Sequence, residues 1–472
     1  MNQITGPPRD SLRTLVFRGG IYLAIRQVLG LAIGLLGPIY LLREIGPGNY
    51  GLYAAALSIL TYIQLVSQWG VEIYLMRHPP SEDCPEVYHQ GFTILTVLAA
   101  LGIGASFVIL PLLDEWMKFK GFYPVASMMF FTLPLLTLRQ VPLARLEREL
   151  NYKRIALIEL SGQACFYIVS LPLAFRERNV WAPVAGWWCQ QGLLFALFFI
   201  VTRYRPSLHF DLQLTKRILG YGLGYSTSIW VWQLRNLVNP LIVGRFAGSA
   251  AVGFVALAIR IVEVLSFARS AAWRVSIAAL ARLQDERGRL LRAIREGMRV
   301  QILAVGPPLV IFSWIGGVVL RRIFGWEWGP VMVVYPFVAL SYLANSLFNL
   351  HSSALYVMEE NWDVTFFHVG HIGLFVGSAV LLVPRFGIVG YGLAEIAALA
   401  AYFIIDHFVR GRIGSIDYRL AGIWAASLGL ALFEGMLGKF ALCGLAAVTL
   451  WPATWRQMSA YCRDARRAIR NA

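Results

Sequence analysis

Stretches of roughly 20 residues with hardly a charge among them recur along the whole chain, separated by short polar gaps, and nothing else in the sequence limits its fold so strongly. A segment of that length and polarity suits the hydrocarbon core of a bilayer. There the backbone must satisfy its own hydrogen bonds, which a helix does within one segment. Of the 472 residues, 58% are hydrophobic and 14% charged. Soluble domains hold roughly 45–50% and 25%. No gap leaves room for a sizeable soluble domain. The fold class is therefore an all-α polytopic membrane protein of about 14 transmembrane helices, with function within the membrane or at its faces. The first apolar stretch is too long and too interrupted by arginine for a cleaved leader, and is expected to be retained.

The net charge of +16 raises the question of nucleic acid. The basic residues instead alternate by side of the membrane. Arg9, Arg13 and Arg18, then Arg139 to Arg154, Arg203 to Arg217, the dense loop 269–299, Arg410 to Arg419 and the tail from Arg456 to Arg470 fall on one side. That side holds roughly three times as many Lys and Arg as the other, which places both termini in the cytoplasm by the positive-inside rule. The tail and the loop read as anchors on an anionic lipid surface, and no nucleic acid is required. The five cysteines are scattered without paired or metal-type spacing, so they imply neither a disulfide framework nor a metal site.

Residues 43–53, REIGPGNYGLY, carry Gly46, Gly48 and Gly51 in G-x-G-x-x-G spacing. A dinucleotide loop needs a preceding strand and an acidic residue about 20 positions later, and has neither here. The stretch instead recurs without a gap: LREIGPGNYGLYAAA at 42–56 aligns with GRFAGSAAVGFVALA at 244–258. Arg43 matches Arg245, Gly46 matches Gly248 and Gly51 matches Gly253, while Gly48 becomes Ala250. Each copy joins the first two helices of a six-helix block, as in an internally duplicated transporter. Gly46 and Gly248 are expected to make a tight turn, Gly51 and Gly253 to let the next helix approach a neighbour closely, and Asn49 to act as an N-cap. The domains expected are 1–217, an N-lobe of helices 1–6; 218–410, a C-lobe of helices 7–12; and 411–472, helices 13–14 with a basic cytoplasmic tail.

These segments resemble the Wzx-type lipid-linked oligosaccharide flippases of the multidrug/oligosaccharidyl-lipid/polysaccharide (MOP) exporter superfamily. LLREIGPGNYGLYAAALSILTYIQLVSQWGVEIYLMR resembles that family's first hairpin, and RLERELNYKRIALIEL the entry to its fifth helix. VGRFAGSAAVGFVALAIRI resembles the junction of the seventh and eighth helices, RRIFGWEWGPV the turn before the tenth, and VPRFGIVGYGLAE the turn before the twelfth. The chain departs from the pattern at Asn239, where the family often carries Asp, and in RVSIAALARLQ, which lacks a common Pro. The resemblance implies two six-helix, MATE-like lobes plus two C-terminal helices. It also implies flipping of an undecaprenyl-pyrophosphate-linked oligosaccharide from the cytoplasmic to the outer leaflet of a bacterial inner membrane, by alternating access, for polysaccharide or O-antigen export. Membrane lipids and polysaccharide polymerase or chain-length machinery would be its partners. No cofactor is implied beyond a coupling ion, H+ or Na+.

Such a cargo needs a hydrated path with fixed positive charge, because polar groups stripped of water without a partner cost kilocalories. Arginine suits a pyrophosphate through its bidentate fork. Arg26, Arg235 and Arg260 lie well inside spans. Arg26, roughly 10–12 Å in from the inner face at 1.5 Å per residue, is the first candidate for the anionic headgroup. Arg235 stands in WQLRNLVN, where Gln233, Asn236 and Asn239 add hydrogen-bonding groups and Trp230 offers a face for a sugar ring. The alternative is that these groups satisfy kinked backbone or neighbouring helices. Arg260 has Glu263 three residues on, so an intrahelical ion pair is the favoured reading there.

Glu159, Glu263 and Glu395 are the deep acids suited to ion coupling, whereas Glu72, Asp406 and His407 read as interfacial. His368 and His371 share a helix face without an acid or thiol at ligand spacing, which favours core residues over a metal site. Gln64 and Gln68, and Asn345 and Asn349, recur at i and i+4 and either line a sugar path or bond helices together. Two other branches of the superfamily compete, a lipid II flippase and a cation-coupled drug antiporter. The lean of the deep charge toward arginine disfavours the antiporter. A membrane glycosyltransferase or polymerase is the rival from another class. Short outer loops and the lack of a D-x-D-like motif argue against it and against any catalytic residue.

Overall fold

The computed structural model describes residues 9–77, 85–267, 269, 280–283 and 286–470, with backbone alone over 9–36 and at 85, 225, 228, 462 and 464–470. Every regular element among the described residues is helical. Among the described residues, eight helical stretches are long and apolar enough to cross a membrane, and a ninth joins them if the bent pair Arg419–Leu432 and Glu434–Leu450 counts as one span. The first expected span falls mostly in residues 9–36, outside this count, and the rest of the difference from about 14 has local causes. Residues Asn361–Arg412 form one stretch of 52 residues. It runs through Gly387 at φ 56, ψ −130 and so contains two of the expected spans. The helix Ser249–Leu265 has only 17 residues. The helix Leu212–Gln233 gives way to a 3-10 turn and a single π turn. The final pair meets at 63°.

The chain divides into two compact units, Met1–Gly253 and Phe254–Ala472. In the first, the helix Arg9–Gln68 breaks at Gly46, whose φ of 74 and ψ of 169 lie in a region that only glycine enters without strain. Gly248 adopts the same conformation, φ 87 and ψ 174, between the helices Gly244–Ala247 and Ser249–Leu265. The two copies of the repeated segment thus share backbone geometry as well as residues. Asn49 does not cap a helix through its side-chain oxygen. Its amide instead donates to the Ile45 carbonyl at 2.9 Å, spanning the break at Gly46.

The next helices are Pro85–Met117, a thrice-segmented stretch Phe122–Arg148, Tyr152–Glu177 and Trp181–Thr202. The last two end on left-handed residues, Arg178 and Arg203. The irregular stretch after Arg203 is pinned to the helix Pro85–Met117. His89 Nδ1 accepts from Ser207 N, Gln90 Oε1 from Asp211 N and Thr93 Oγ1 from His209 N, at 2.7–3.2 Å. Asp211 then caps the next helix, its carboxylate accepting from Gln213 N and Leu214 N. Below this join sits an apolar cluster containing Val71, Leu75, Leu95, Val141 and Ile218, all fully buried.

The second unit is built on the helices Arg287–Ile323, Val331–Val357 and Asn361–Ala398. The FGWEWGP turn forms around Gly325 at φ 106, with Trp328 buried beneath it. The helix Tyr402–Arg412 follows, and then the bent pair. The far end of Arg419–Leu432 is tied to the middle of Arg287–Ile323: Ser313 Oγ donates to the Leu432 carbonyl and Trp314 Nε1 to that of Ala431. At the near end, Glu296 Oε2 accepts from Gln457 Nε2 at 3.0 Å and Tyr461 Oη at 2.8 Å, docking the basic helix Pro452–Arg470.

Candidate functional site

The expected seventh span changes its winding where its polar residues are densest. After Gln233 the backbone tightens to a 3-10 turn over Leu234–Leu237 and then widens to a π turn over Asn239–Val243. Pro240 inside that turn lacks the N–H that a regular helix would use. Such changes of pitch re-aim side chains, and they concentrate at functional sites and hinges.

Trp230, Gln233, Arg235 and Asn236 project from this stretch. Trp230 Nε1 donates to the Leu65 carbonyl at 3.3 Å, and its ring meets Trp69 edge-on with centroids 4.9 Å apart. Trp230 therefore lies on the helical turn that carries Gln64, half-buried, and Gln68, buried. The approach is close because Gly222 faces Trp69: a Cβ there would stand 1.9 Å from the Trp69 carbonyl oxygen. Trp69 Nε1 in turn donates to the Leu219 carbonyl at 3.1 Å. Arg235 is half-buried with its guanidinium 6.0 Å from the centroid of the Trp232 ring. Asn236, exposed, donates to Gln233 Oε1 at 3.2 Å. The structure thus sets Trp230 against Trp69 and the helical turn of Gln64 and Gln68, while Gln233, Arg235 and Asn236 follow Trp230 along its own stretch. The side chain of Arg26 lies outside the described residues, as does much of the loop 269–299.

The remaining candidates are dispersed. Asn239 is buried and its amide donates to the Val252 carbonyl at 3.2 Å, so it joins two helices of the first unit. Arg260 and Glu263 form an i,i+3 ion pair at 3.5 Å. Asn345 accepts from Arg269 Nη1 at 2.6 Å and donates to Tyr402 Oη at 3.0 Å, while Asn349 donates to Gln301 Oε1 at 3.2 Å. In the second unit, then, the i, i+4 asparagines bond helices together. Glu395 is buried with the Tyr391 hydroxyl 3.1 Å away. Glu159, half-buried, lies within electrostatic reach of Arg139. His371 is buried and His368 half-buried, both beside Phe367. No group of three or more His, Cys, Asp or Glu with metal-binding geometry occurs among the described residues.

Sequence reading missed two features. Tyr418 and His351 join Asp406 in a hydrogen-bonded chain, and no spacing rule relates three residues on three separate segments. Trp69 was legible only as the end of a span, although it completes the aromatic pair with Trp230.

The polysaccharide biosynthesis protein family model matches residues 40–333. A teichuronic acid biosynthesis protein of Bacillus subtilis, TuaB, is 23% identical over 274 residues, 57% of this chain and just over half, 55%, of that relative's length. A probable flippase of Haloferax volcanii, AglR, is 22% identical over 385 residues, 78% of this chain and 77% of the relative. Among solved structures, the lipid II flippase MurJ in an inward closed conformation superposes with a TM-score of 0.69. At 11% identity it covers 93% of this chain and 99% of its own, and shows the same fold. Since the family match takes in more than half of the residues, the chain belongs to the polysaccharide biosynthesis protein family.

Proposed function

We propose that this protein flips an undecaprenyl-pyrophosphate-linked oligosaccharide from the cytoplasmic to the outer leaflet by alternating access, and that it is not an enzyme. The reading is supported by family membership and by similarity to a probable flippase. The observation that carries it is the pairing of Trp230 with Trp69 beside the helical turn of Gln64 and Gln68, on the chain stretch that also carries Gln233 and Arg235. Indole faces stack on sugar rings, amides replace the water that hydroxyls lose, and a guanidinium holds a phosphate oxygen pair. Arg26 supplies a second cation for the same headgroup. The lipid tail remains in the bilayer, so only the polar part needs shielding. The lobes 1–217 and 218–410 act as the moving bodies, and both termini face the cytoplasm of a bacterial inner membrane. Polymerase and chain-length machinery take the product onward.

The test is to delete the gene and probe lipid-linked glycans with periodate in sealed right-side-out vesicles. Complete but inaccessible glycans are expected. Fully accessible glycans that are merely shortened or unligated would overturn the reading and place the protein among membrane enzymes.

A further inference from the structure

The C-terminal part of the second unit holds an open, apolar groove of about 320 Å³. One wall is a single face of the helix Arg287–Ile323, where Leu303, Pro307, Val310, Ile311 and Trp314 recur at i, i+4, i+7, i+8 and i+11. At 1.5 Å per residue they run roughly 16 Å along the helix, about half of a hydrocarbon core of roughly 30 Å and so the depth of one leaflet. Thr454 and Thr449, also on the walls, spend their hydroxyls within the protein. Thr454 Oγ1 accepts from Trp424 Nε1 at 3.0 Å, and Thr449 Oγ1 donates to the Ala446 carbonyl at 3.0 Å. Such walls give water little to bind, and their dispersion contacts are completed only by a hydrocarbon chain.

The Leu303 end of the groove meets the basic helix Pro452–Arg470, which supplies Trp455 and Met458 to the walls. At 3.6 residues per turn the side chains of this helix sort around its axis. Gln457 and Tyr461 turn toward Glu296, and Trp455 and Met458 toward the groove. Arg456, Ser459 and Arg463, at i, i+3 and i+7, form the next flank, exposed beyond Trp455. Ser459 joins the two arginines: its Oγ donates to the Arg456 carbonyl at 2.9 Å and lies 3.5 Å from Arg463 Nη1. Neither guanidinium makes an ion pair with another described residue. In sequence the helix sets Arg456, Arg463, Arg466, Arg467 and Arg470 against one acid, Asp464. An apolar channel one leaflet deep thus opens beside a cationic rim.

We propose that the groove and its rim form a binding site for one anionic phospholipid. An acyl chain lies along Leu303 to Trp314, and the phosphodiester rests against Arg456 and Arg463. The guanidiniums favour an anionic headgroup over a zwitterionic one, because the cation of choline or ethanolamine offsets the phosphate charge. Trp455 falls between chain and headgroup, the level at which indoles settle in a membrane. The groove's length matches a phospholipid chain and not the far longer polyprenyl chain of the proposed cargo. A lipid held in this way fastens the basic helix to Arg287–Ile323 along a second line, beside the bonds to Glu296. The site uses residues of the second unit alone and does not depend on the flippase reading.

Two measurements on the full-length protein test it. Native mass spectrometry from detergent, with added phosphatidylglycerol or phosphatidylcholine, reads the headgroup. The parent is expected to retain phosphatidylglycerol about tenfold more tightly than phosphatidylcholine. Replacing both arginines, Arg456→Gln with Arg463→Gln, should bring phosphatidylglycerol down to the phosphatidylcholine level. No preference in the parent, or an undiminished one in the double variant, overturns the proposal. Phosphatidylglycerol with a diazirine in its acyl chain then maps the chain on the unaltered protein. Cross-links are expected within 303–314 and 445–458, and labelling confined to other segments overturns the groove. Undecaprenyl phosphate at equal concentration should leave that labelling in place. If it abolishes the labelling, the groove belongs to a polyprenyl chain and the phospholipid assignment falls.

Discussion

Gly51 and Gly253, equivalent positions in the two copies of the repeated segment, lie backbone against backbone. A Cβ on Gly51 would stand 1.7 Å from the Ser249 carbonyl oxygen and 2.9 Å from Gly253 N, and one on Gly253 would stand 2.4 Å from the Pro47 carbonyl oxygen. Neither glycine has a yielding side chain opposite it. The first turns after the two kinks, Pro47–Gly51 and Ser249–Gly253, therefore touch within the first unit, and there the sequence symmetry is a contact in space.

Gly51→Ala and Gly253→Ala are expected to destabilise by at least the ~1–3 kcal/mol typical of overpacking, since backbone rather than side chain must move. Thermal unfolding of the detergent-solubilised protein measures this. Gly48→Ala, where only the Ser249 hydroxyl is near, at 3.9 Å, should leave the midpoint unchanged.

Trp230→Ala is expected to abolish glycan exposure in the vesicle assay, while Trp230→Phe keeps a ring for stacking and loses only the bond to Leu65. Equal activity of Trp230→Ala and the parent would remove the indole from the transport path.

Arg235→Ala should reduce transport by tenfold or more, about 1.4 kcal/mol or greater, and Arg235→Lys should restore part of it through charge without the fork. Arg260→Ala should transport nearly as the parent, because its charge is already matched by Glu263. The contrast between the two, at matched expression, is the informative readout.

Glu72 lies beyond the span that ends at Gln68, on the short helix Val71–Arg77. Burial, with a smaller contribution from the charge of Glu147, pushes its carboxyl from 4.5 up to about 7 against the lowering effect of its own backbone hydrogen bond. The folded state then holds its proton more tightly than the unfolded chain. The contribution is fully present below 4.5 and is lost as pH rises through about 7, a change of up to ~3 kcal/mol. Glu72→Gln should match the parent at low pH and gain on it progressively across that window. Denaturation midpoints at three pH values suffice, and a pH-independent difference would count against the buried acid.

Gln90, with no exposed surface, spends both ends of its amide on the join after Arg203, accepting from Asp211 N and donating to Thr215 Oγ1, each at 2.7 Å. Gln90→Ala should speed hydrogen exchange of residues 204–211 at a cost of about 1–3 kcal/mol. Unchanged exchange there would mean that His89 and Thr93 hold the join alone.

Much of this fold was open to sequence reading because a bilayer leaves the backbone few choices. Apolar length announced the helices, and the Gly46 and Gly248 turns followed from an alignment of two short segments. What stayed hidden depends on distance in space. The i, i+4 rule put Asn345 and Asn349 on one face but not the partners they meet, Arg269, Tyr402 and Gln301. Asp406 looked interfacial by position, and only the fold places the Tyr418 hydroxyl between it and His351. The Arg260–Glu263 pair, local to one helix turn, was readable for that reason.

The bent pair near the C-terminus carries a consequence for parity. Gly414 lies against Leu291, so the chain sets out on this pair close to the first turns of the helix Arg287–Ile323. It reaches Ser313 and Trp314, then comes back to Glu296 through Gln457 and Tyr461. Glu296 and Trp314 are separated by roughly 27 Å at 1.5 Å per residue, close to the depth of a bilayer core. The excursion is therefore out and back, an even step. The arginine-rich tail ends on the same face from which residues 410–418 departed, and an antibody tag at either position should report the same side of the membrane.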